Sequence, residues 1–183
     1  MIALKADKLS RAFGGVKAID SLSFEVQAGH VHAIIGPNGA GKTTLINLIT
    51  GVYAPDSGRV QMFGDNVTGR PPEQLARAGL SRTFQNLQVC MNMTALDNVM
   101  VGAHLSLNSG LLAGMLRLPA LRRADEDCRA QAMKLLVFVG ISSSAQVLAS
   151  DLSYGVLKRL EIARAMAAKP RLLLLDEPSA GLN

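Results

Sequence analysis

One stretch constrains this chain more than any other: Gly36-Pro37-Asn38-Gly39-Ala40-Gly41-Lys42-Thr43-Thr44. It follows an apolar run, Val31-His32-Ala33-Ile34-Ile35, and precedes another, Leu45-Ile46-Asn47-Leu48-Ile49. The pattern G-x-x-x-x-G-K-[ST] therefore sits between a predicted strand and a predicted helix, the context that gives the pattern meaning. Its physics is anion capture. Glycines let the backbone turn tightly and aim its N–H groups inward. The loop runs into a helix N-terminus, where unsatisfied donors and the positive dipole end favour a phosphate. Lys42 adds a point charge for β- and γ-phosphates, and the Thr43 hydroxyl is a hard oxygen ligand suited to Mg²⁺.

Composition bounds the class of protein. The chain is 49% hydrophobic and 18% charged over 183 residues, so it is expected to be globular, with one full domain or one domain plus an insert. No apolar run reaches the roughly 18 residues that span a bilayer. The start, Met1-Ile2-Ala3-Leu4-Lys5, meets Lys5, Asp7 and Lys8 too early for a signal-peptide core, and folding in the cytoplasm is expected. Cys90 and Cys128 lack metal or redox spacing, and His30, His32 and His104 form no ligand pattern. The net charge of +5 suits a phosphate ligand but equally permits nucleic acid or an anionic membrane surface.

Before the loop, Ile2 to Leu9 and Leu22 to Val26 read as strands of a small antiparallel β layer. Phe13, on an expected loop, is either a ring for stacking on adenine or ordinary core. After the loop, a helix from Lys42 is expected to end near Gly51. A turn at Pro55–Gly58, a strand over Arg59–Phe63, a helix over Glu73–Ala78 and a strand over Leu80–Phe84 follow. Thr94-Ala95-Leu96-Asp97 is a capping box for a helix to about Leu105. Leu111–Leu118 is a short apolar segment ended by Pro119. A helix over 122–139 presents Ala124, Cys128, Ala132, Leu135, Leu136 and Val139 on one face. Residues 142–150 read as a loop. Residues 88–150 are thus expected to form a helical subdomain inserted into an α/β core made of 1–87 and 151–183.

Ser153 is the expected N-cap of a helix through Ala168. Arg171-Leu172-Leu173-Leu174-Leu175-Asp176-Glu177 reads as a strand buried on both faces and ending in two carboxylates. Open α/β sheets bind ligands at that end. With a phosphate loop upstream, Asp176 is suited to hold Mg²⁺, and Glu177 to polarise a water for attack on the γ-phosphate.

Taken together, these pieces resemble the ATP-binding-cassette (ABC) ATPases. In the family's order, Gly36–Thr44 corresponds to Walker A, Gln85 to the Q-loop glutamine, and Leu152-Ser153-Tyr154-Gly155 to the signature. Leu172–Glu177 corresponds to Walker B and Ala180-Gly181-Leu182-Asn183 to the D-loop. Phe13 falls where the family places its adenine-stacking aromatic. In closer detail the chain resembles the ATP-binding subunits of branched-chain amino acid importers. That likeness rests on Leu9–Gly15, on the insert over Leu105–Arg123, and on the signature followed by Lys158-Arg159-Leu160-Glu161-Ile162-Ala163-Arg164-Ala165. Urea-type importers share much of this.

The resemblance implies an ATP hydrolase that uses Mg²⁺, with a P-loop core, an N-terminal antiparallel β layer and a helical subdomain. Glu177, Lys42 and Gln85 would be catalytic. Phe13, Gly36, Pro37, Asn38, Gly39, Ala40, Gly41, Lys42, Thr43, Thr44, Ser153 and Gly155 would contact ATP, and Thr43, Gln85 and Asp176 would face the metal. Two chains would meet head to tail, each ATP lying between Walker A of one and Ser153 and Gly155 of the other. Transmembrane permease subunits would be the partners at the cytoplasmic face of the membrane, with an external solute-binding protein acting indirectly and nucleic acid excluded. The sequence departs from the family pattern in two ways. Val156 stands where the signature usually has a polar residue, and no histidine follows Glu177. The expectation is of a truncated form, with a last core strand and C-terminal helices missing, so that Val31–Ile35 and Leu172–Leu175 lose a shared neighbour. A nucleotide-binding fragment without turnover is the alternative function. A soluble cassette ATPase acting on DNA or ribosomes fits less well, because neither a second cassette nor a coiled-coil insert is present.

Overall fold

The structure, a computed structural model, describes residues 1–84, 87–103 and 119–177. It divides into two compact units, Met1–Ala78 and Gly79–Asn183.

The first unit is built on two long strands, β1 (Ile2–Phe13) and β2 (Val16–Gln27), joined by a tight turn at Gly14-Gly15, both at positive φ. They pair antiparallel with Leu4 opposite Val26 and Phe13 opposite Val16. On its other edge β1 pairs with β3 (Ser57–Met62), and β3 with the short β4 (Asp65–Asn66), giving the sheet order β2-β1-β3-β4. The antiparallel layer expected from alternation is therefore present, with strands longer than the pattern alone indicated. The ladder is interrupted near Lys8, whose φ is +48, and Gly58 crosses there at φ +90. A Cβ on Gly58 would lie 2.4 Å from the Lys8 carbonyl oxygen, so only glycine lets the strands approach. Leu4, Ala6, Leu9, Val60 and Met62 are buried, as are Leu45, Ile46, Leu48 and Ile49 of helix α1 (Lys42–Ile49). Helix α2 (Pro72–Arg77) starts on its proline, as the fixed φ of that residue favours, and buries Leu75.

One expectation fails in this unit. Val31–Ile35 is not a strand. Val31 and Ile35 are almost fully exposed and Ile34 is half exposed. An apolar run becomes a strand only when a neighbour takes its N–H and C=O groups. No described strand pairs with this one.

The second unit joins a two-stranded parallel sheet to a helical cluster. Strand β5 (Leu80–Arg82) pairs with β6 (Leu172–Leu174) in the register Leu80–Leu172, Ser81–Leu173, Arg82–Leu174. The leucine strand is present but shorter than expected. Its residues are half-buried rather than covered on both faces, because among the described residues it has one strand neighbour instead of two. Helices α3 (Ala95–Gly102), α4 (Pro119–Phe138) and α5 (Tyr154–Ala167) enclose Leu96, Val99, Ala132, Leu136, Leu160 and Ala163. Cys128, Ala132 and Leu136 on the predicted face of α4 are buried. The expected loop over 142–150 contains two short 3₁₀ turns, Ser142–Ser144 and Ala149–Asp151. Thr94 caps α3 by accepting from the Asp97 N–H at 3.1 Å, while its own hydroxyl donates to the Asp97 carboxylate at 2.6 Å. The Leu111–Leu118 segment lies outside the described residues.

Candidate functional site

The glycine loop is organised by Lys42. Its ammonium donates to the carbonyl oxygens of Gly36 at 2.7 Å and Pro37 at 2.9 Å, drawing the two ends of the loop together. Within the loop the Ala40 N–H donates to the Pro37 carbonyl at 3.2 Å. Gly39 and Gly41 both take φ +83. At Gly41 the reason is steric, since a Cβ there would sit 2.5 Å from the Ala18 carbonyl oxygen of β2. The loop thus enters α1 pressed against the sheet. No side chain caps α1 and its first turn carries no acid. The early amides of the helix are therefore not spent on a side-chain cap, and its own first turn places no carboxylate among them, which suits an anion. Asn38, Gly39, Ala40 and Thr43 are exposed.

Phe13 ends β1 rather than lying on a loop. It is 40% exposed, meets Tyr53 edge to face at 5.3 Å, and lies 4.9 Å from the Arg11 guanidinium. Arg11 is itself held by Asp56 at 2.7 Å. The ring is braced along one edge and keeps exposed surface, which suits stacking against a flat apolar ligand.

In the second unit Asp176 follows β6 by two residues. Its N–H donates to the Thr83 hydroxyl at 3.0 Å, and Arg82 Nη2 lies 3.2 Å from its Oδ2. The Thr83 N–H donates to the Leu174 carbonyl, which extends the β5–β6 ladder by one bond. The carboxylate is thus fixed by backbone, hydroxyl and guanidinium together. Glu177, exposed and at φ +46, occupies a conformation uncommon for a residue with a side chain. Ser153 precedes α5 with extended backbone, but its hydroxyl makes no capping hydrogen bond, contrary to the usual behaviour of a cap serine. It is exposed, and Gly155 follows in the first turn. Val156 packs against the helical core. Gln85 and Ala180–Asn183 lie outside the described residues.

Side chains that sequence reasoning passed over also shape these sites: Tyr53 and Arg11 beside Phe13, Arg82 and Thr83 beside Asp176, and Lys158 with Glu161 on α5. The last two carried a readable signal, an acid and a base three residues apart among apolar positions of a helix.

A metal would need hard oxygens. Asp176 and Thr43 supply them in type, and no cluster of three acidic, histidine or cysteine side chains occurs among the described residues. Each of the two, in its own unit, supplies an oxygen of the type taken by Mg²⁺, an ion that binds through one or two protein oxygens and completes its shell with phosphate and water.

Residues 19–180 match the family described as ABC transporter. The chain is 42% identical over 180 residues to the high-affinity branched-chain amino acid transport ATP-binding protein BraF of Pseudomonas aeruginosa, covering 98% of this chain and 71% of that protein. It is 41% identical over the same span to the corresponding protein LivG of Escherichia coli, with the same coverage. Among solved structures it is similar to the ADP conformation of an ATP-binding cassette of an ABC transporter. There the TM-score is 0.81 and the identity 34%, over 100% of this chain and 71% of that one. A glycine-lysine loop on the end of an antiparallel layer and a carboxylate-tipped strand beside a helical cluster are thus found here in a chain that belongs to the ABC transporter family.

Proposed function

We propose that this chain binds ATP with Mg²⁺ and contributes to its hydrolysis as the ATP-binding subunit of a branched-chain amino acid importer. The observation that carries the nucleotide reading is the loop itself. Lys42 gathers Gly36 and Pro37 at the mouth of an uncapped, acid-free helix N-terminus. The relatives' names support the solute, and the neighbour described in its ADP conformation supports the nucleotide.

In this reading the amides from Gly39 to Thr44 and the Lys42 ammonium hold the phosphates, and Phe13 carries the adenine. Thr43 and Asp176 would hold Mg²⁺, which when bound neutralises charge on the phosphate oxygens. Glu177 accepts a proton from the attacking water, a role worth roughly 10²–10⁴ in rate. Ser153 and Gly155 contact the γ-phosphate of a second copy's nucleotide, and Gln85 senses it. Transmembrane permease subunits at the cytoplasmic membrane face are its partners. No described helix is long and apolar enough to cross a membrane, so attachment would run through those partners.

Binding of a fluorescent ATP analogue tests the reading. The unmutated protein should bind and Lys42→Ala should weaken binding by about tenfold or more, a loss of about 1.4 kcal/mol. Equal binding by both overturns it. Glu177→Gln should bind normally and hydrolyse poorly. Val156, packed inward where a polar signature residue is usual, favours a second reading: nucleotide binding without turnover. Binding with no phosphate release by the unmutated protein decides for that alternative. Uptake of leucine against urea, in vesicles with the permease, separates the solutes.

A further inference from the structure

The pairing of β1 with β3 ends at Ser10 opposite Ser57, and the end of β1 that carries Phe13 runs on past it. Asp56 takes over that edge. Its N–H donates to the Ser10 carbonyl at 3.0 Å, its Oδ2 accepts from the Ala12 N–H at 2.8 Å, and its Oδ1 accepts from Arg11 Nη1 at 2.7 Å. Arg11 Nη1 also donates to the Ala54 carbonyl at 3.1 Å. The guanidinium so held lies over the Phe13 ring, 4.9 Å from its centre, with Nε buried and without a hydrogen-bond partner among the described residues. Tyr53 meets the same ring edge to face at 5.3 Å, with 68° between the planes.

A strand needs none of this to end in a phenylalanine. An arginine whose only task was to tie two segments would turn Nε to water, because a buried donor without a partner is a net cost. Here that donor is forgone and the guanidinium rests on the ring. Tyr53 has its own anchor: its N–H donates to the Asn47 carbonyl of α1 at 3.2 Å, just beyond the end of that helix. The same helix carries Lys42 and the glycine loop at its other end, about 12 Å away for a helix of this length. Gly41 is pressed there on Ala18 of β2, two residues along from Val16, the partner of Phe13. Ring and phosphate loop are thus both referred to one helix and one hairpin. A ring fixed in advance loses no side-chain freedom when a flat ligand stacks on it, so more of the contact appears as affinity.

We infer that Tyr53, Arg11 and Asp56 are positioning residues for the nucleotide base: together they hold the Phe13 ring in place before the ligand arrives, and so set how much of the affinity comes from the base rather than from the phosphates. The inference rests on the proposed ATPase reading, in which Phe13 carries the adenine, and adds the residues that make the ring a fixed wall. None of the three need touch the phosphates. All act through the Phe13 ring.

The test compares ATP with inorganic tripolyphosphate, a phosphate chain without a base, each displacing the fluorescent analogue from the full chain. The unmutated protein should bind ATP about ten- to hundredfold tighter than tripolyphosphate, the scale of one stacked base. Tyr53→Leu should weaken ATP about three- to tenfold and leave tripolyphosphate within about twofold. Tyr53→Phe keeps the edge-to-face contact and should bind both ligands as the unmutated protein does. Asp56→Ala, which releases Arg11 and the Ala12 N–H at once, should weaken ATP by about tenfold or more. Tyr53 is 38% exposed, so its truncation leaves the core filled and carries the test whether or not Asp56→Ala folds. In a Phe13→Ala background Tyr53→Leu should cost ATP no more than about twofold further. Unchanged ATP affinity in Tyr53→Leu, equal weakening of both ligands, or an undiminished loss in the Phe13→Ala background overturns the inference. Failure of the unmutated protein to bind either ligand overturns the ATPase reading and this inference together. Binding of both that depends on Lys42 but shows no preference for ATP overturns only the inference.

Discussion

Arg82 and Asp176 meet at the carboxyl ends of the β5–β6 pair, with Arg82 Nη2 3.2 Å from Asp176 Oδ2 and side chains only 9% and 12% exposed. The register explains the meeting. Arg82 is opposite Leu174, and Asp176 is two residues further on, so the pleat returns its side chain to the same face. Removing the guanidinium leaves a nearly buried carboxylate without its charge partner. Arg82→Met should therefore destabilise the fold by about 3 kcal/mol in urea denaturation, and Arg82→Lys by clearly less. An unchanged midpoint for Arg82→Met would show that the pair contributes no net stability.

Asn98, fully buried on α3, ties the helix to the segment before it. Its Oδ1 accepts from the Cys90 N–H at 2.8 Å, and its Nδ2 donates to the carbonyls of Cys90 and Thr94 at 3.0 Å. Asn98→Leu keeps the branched outline of the side chain and strands these backbone groups, each unsatisfied group costing about 1–3 kcal/mol. Thermal unfolding should fall by the equivalent of about 3 kcal/mol, and Cys90 should become more reactive in the folded variant as its loop loosens.

Two glycines of the phosphate loop share φ +83 but differ in their surroundings. A Cβ at Gly39 meets nothing within 4 Å, whereas one at Gly41 strikes the Ala18 carbonyl. Gly39→Ala should cost only the left-handed strain of about 1–2 kcal/mol. Gly41→Ala should cost more and weaken nucleotide binding by about tenfold or more, because the loop must leave β2. A titration with the fluorescent analogue, beside a denaturation curve for each variant, separates the two effects.

Burial raises the Cys128 thiol above its ordinary value of 9.0, Asp125 adds to the rise, and Lys169 partly offsets it. The folded state therefore holds this proton longer than the unfolded state. Its contribution to stability is complete below about pH 9 and is lost as pH climbs through the higher folded value. Alkylation at pH 8.5 should be slower at Cys128 than in the urea-unfolded chain, and Asp125→Asn should narrow the gap. Equal rates in folded and unfolded protein would contradict the burial.

Much of the local structure could be read from residue types, because its causes are local. The Thr94 cap, the proline start of α2, the loop glycines and the apolar face of α4 each depend on a few neighbouring residues. The failures share a different cause. Val31–Ile35 has the composition of a strand and is not one, and Leu172–Leu174 has the composition of a central strand but is only half-buried. Ser153 has the chemistry of a cap and forms no cap bond. Each depends on what lies beside it.

By itself, the order of residues determined the kind of chemistry: a loop for anions, an acid pair for metal and water, and the family in which those pieces recur in that order. Those properties follow from short-range spacing, which folding does not alter. Only the tertiary structure decided which polar groups hold one another. Arg82 lies 94 residues from Asp176, and Phe84 lies 77 from Glu161. Hydrogen bonds across such separations come from strand register and helix packing, and the spacing of residue types carries no record of them.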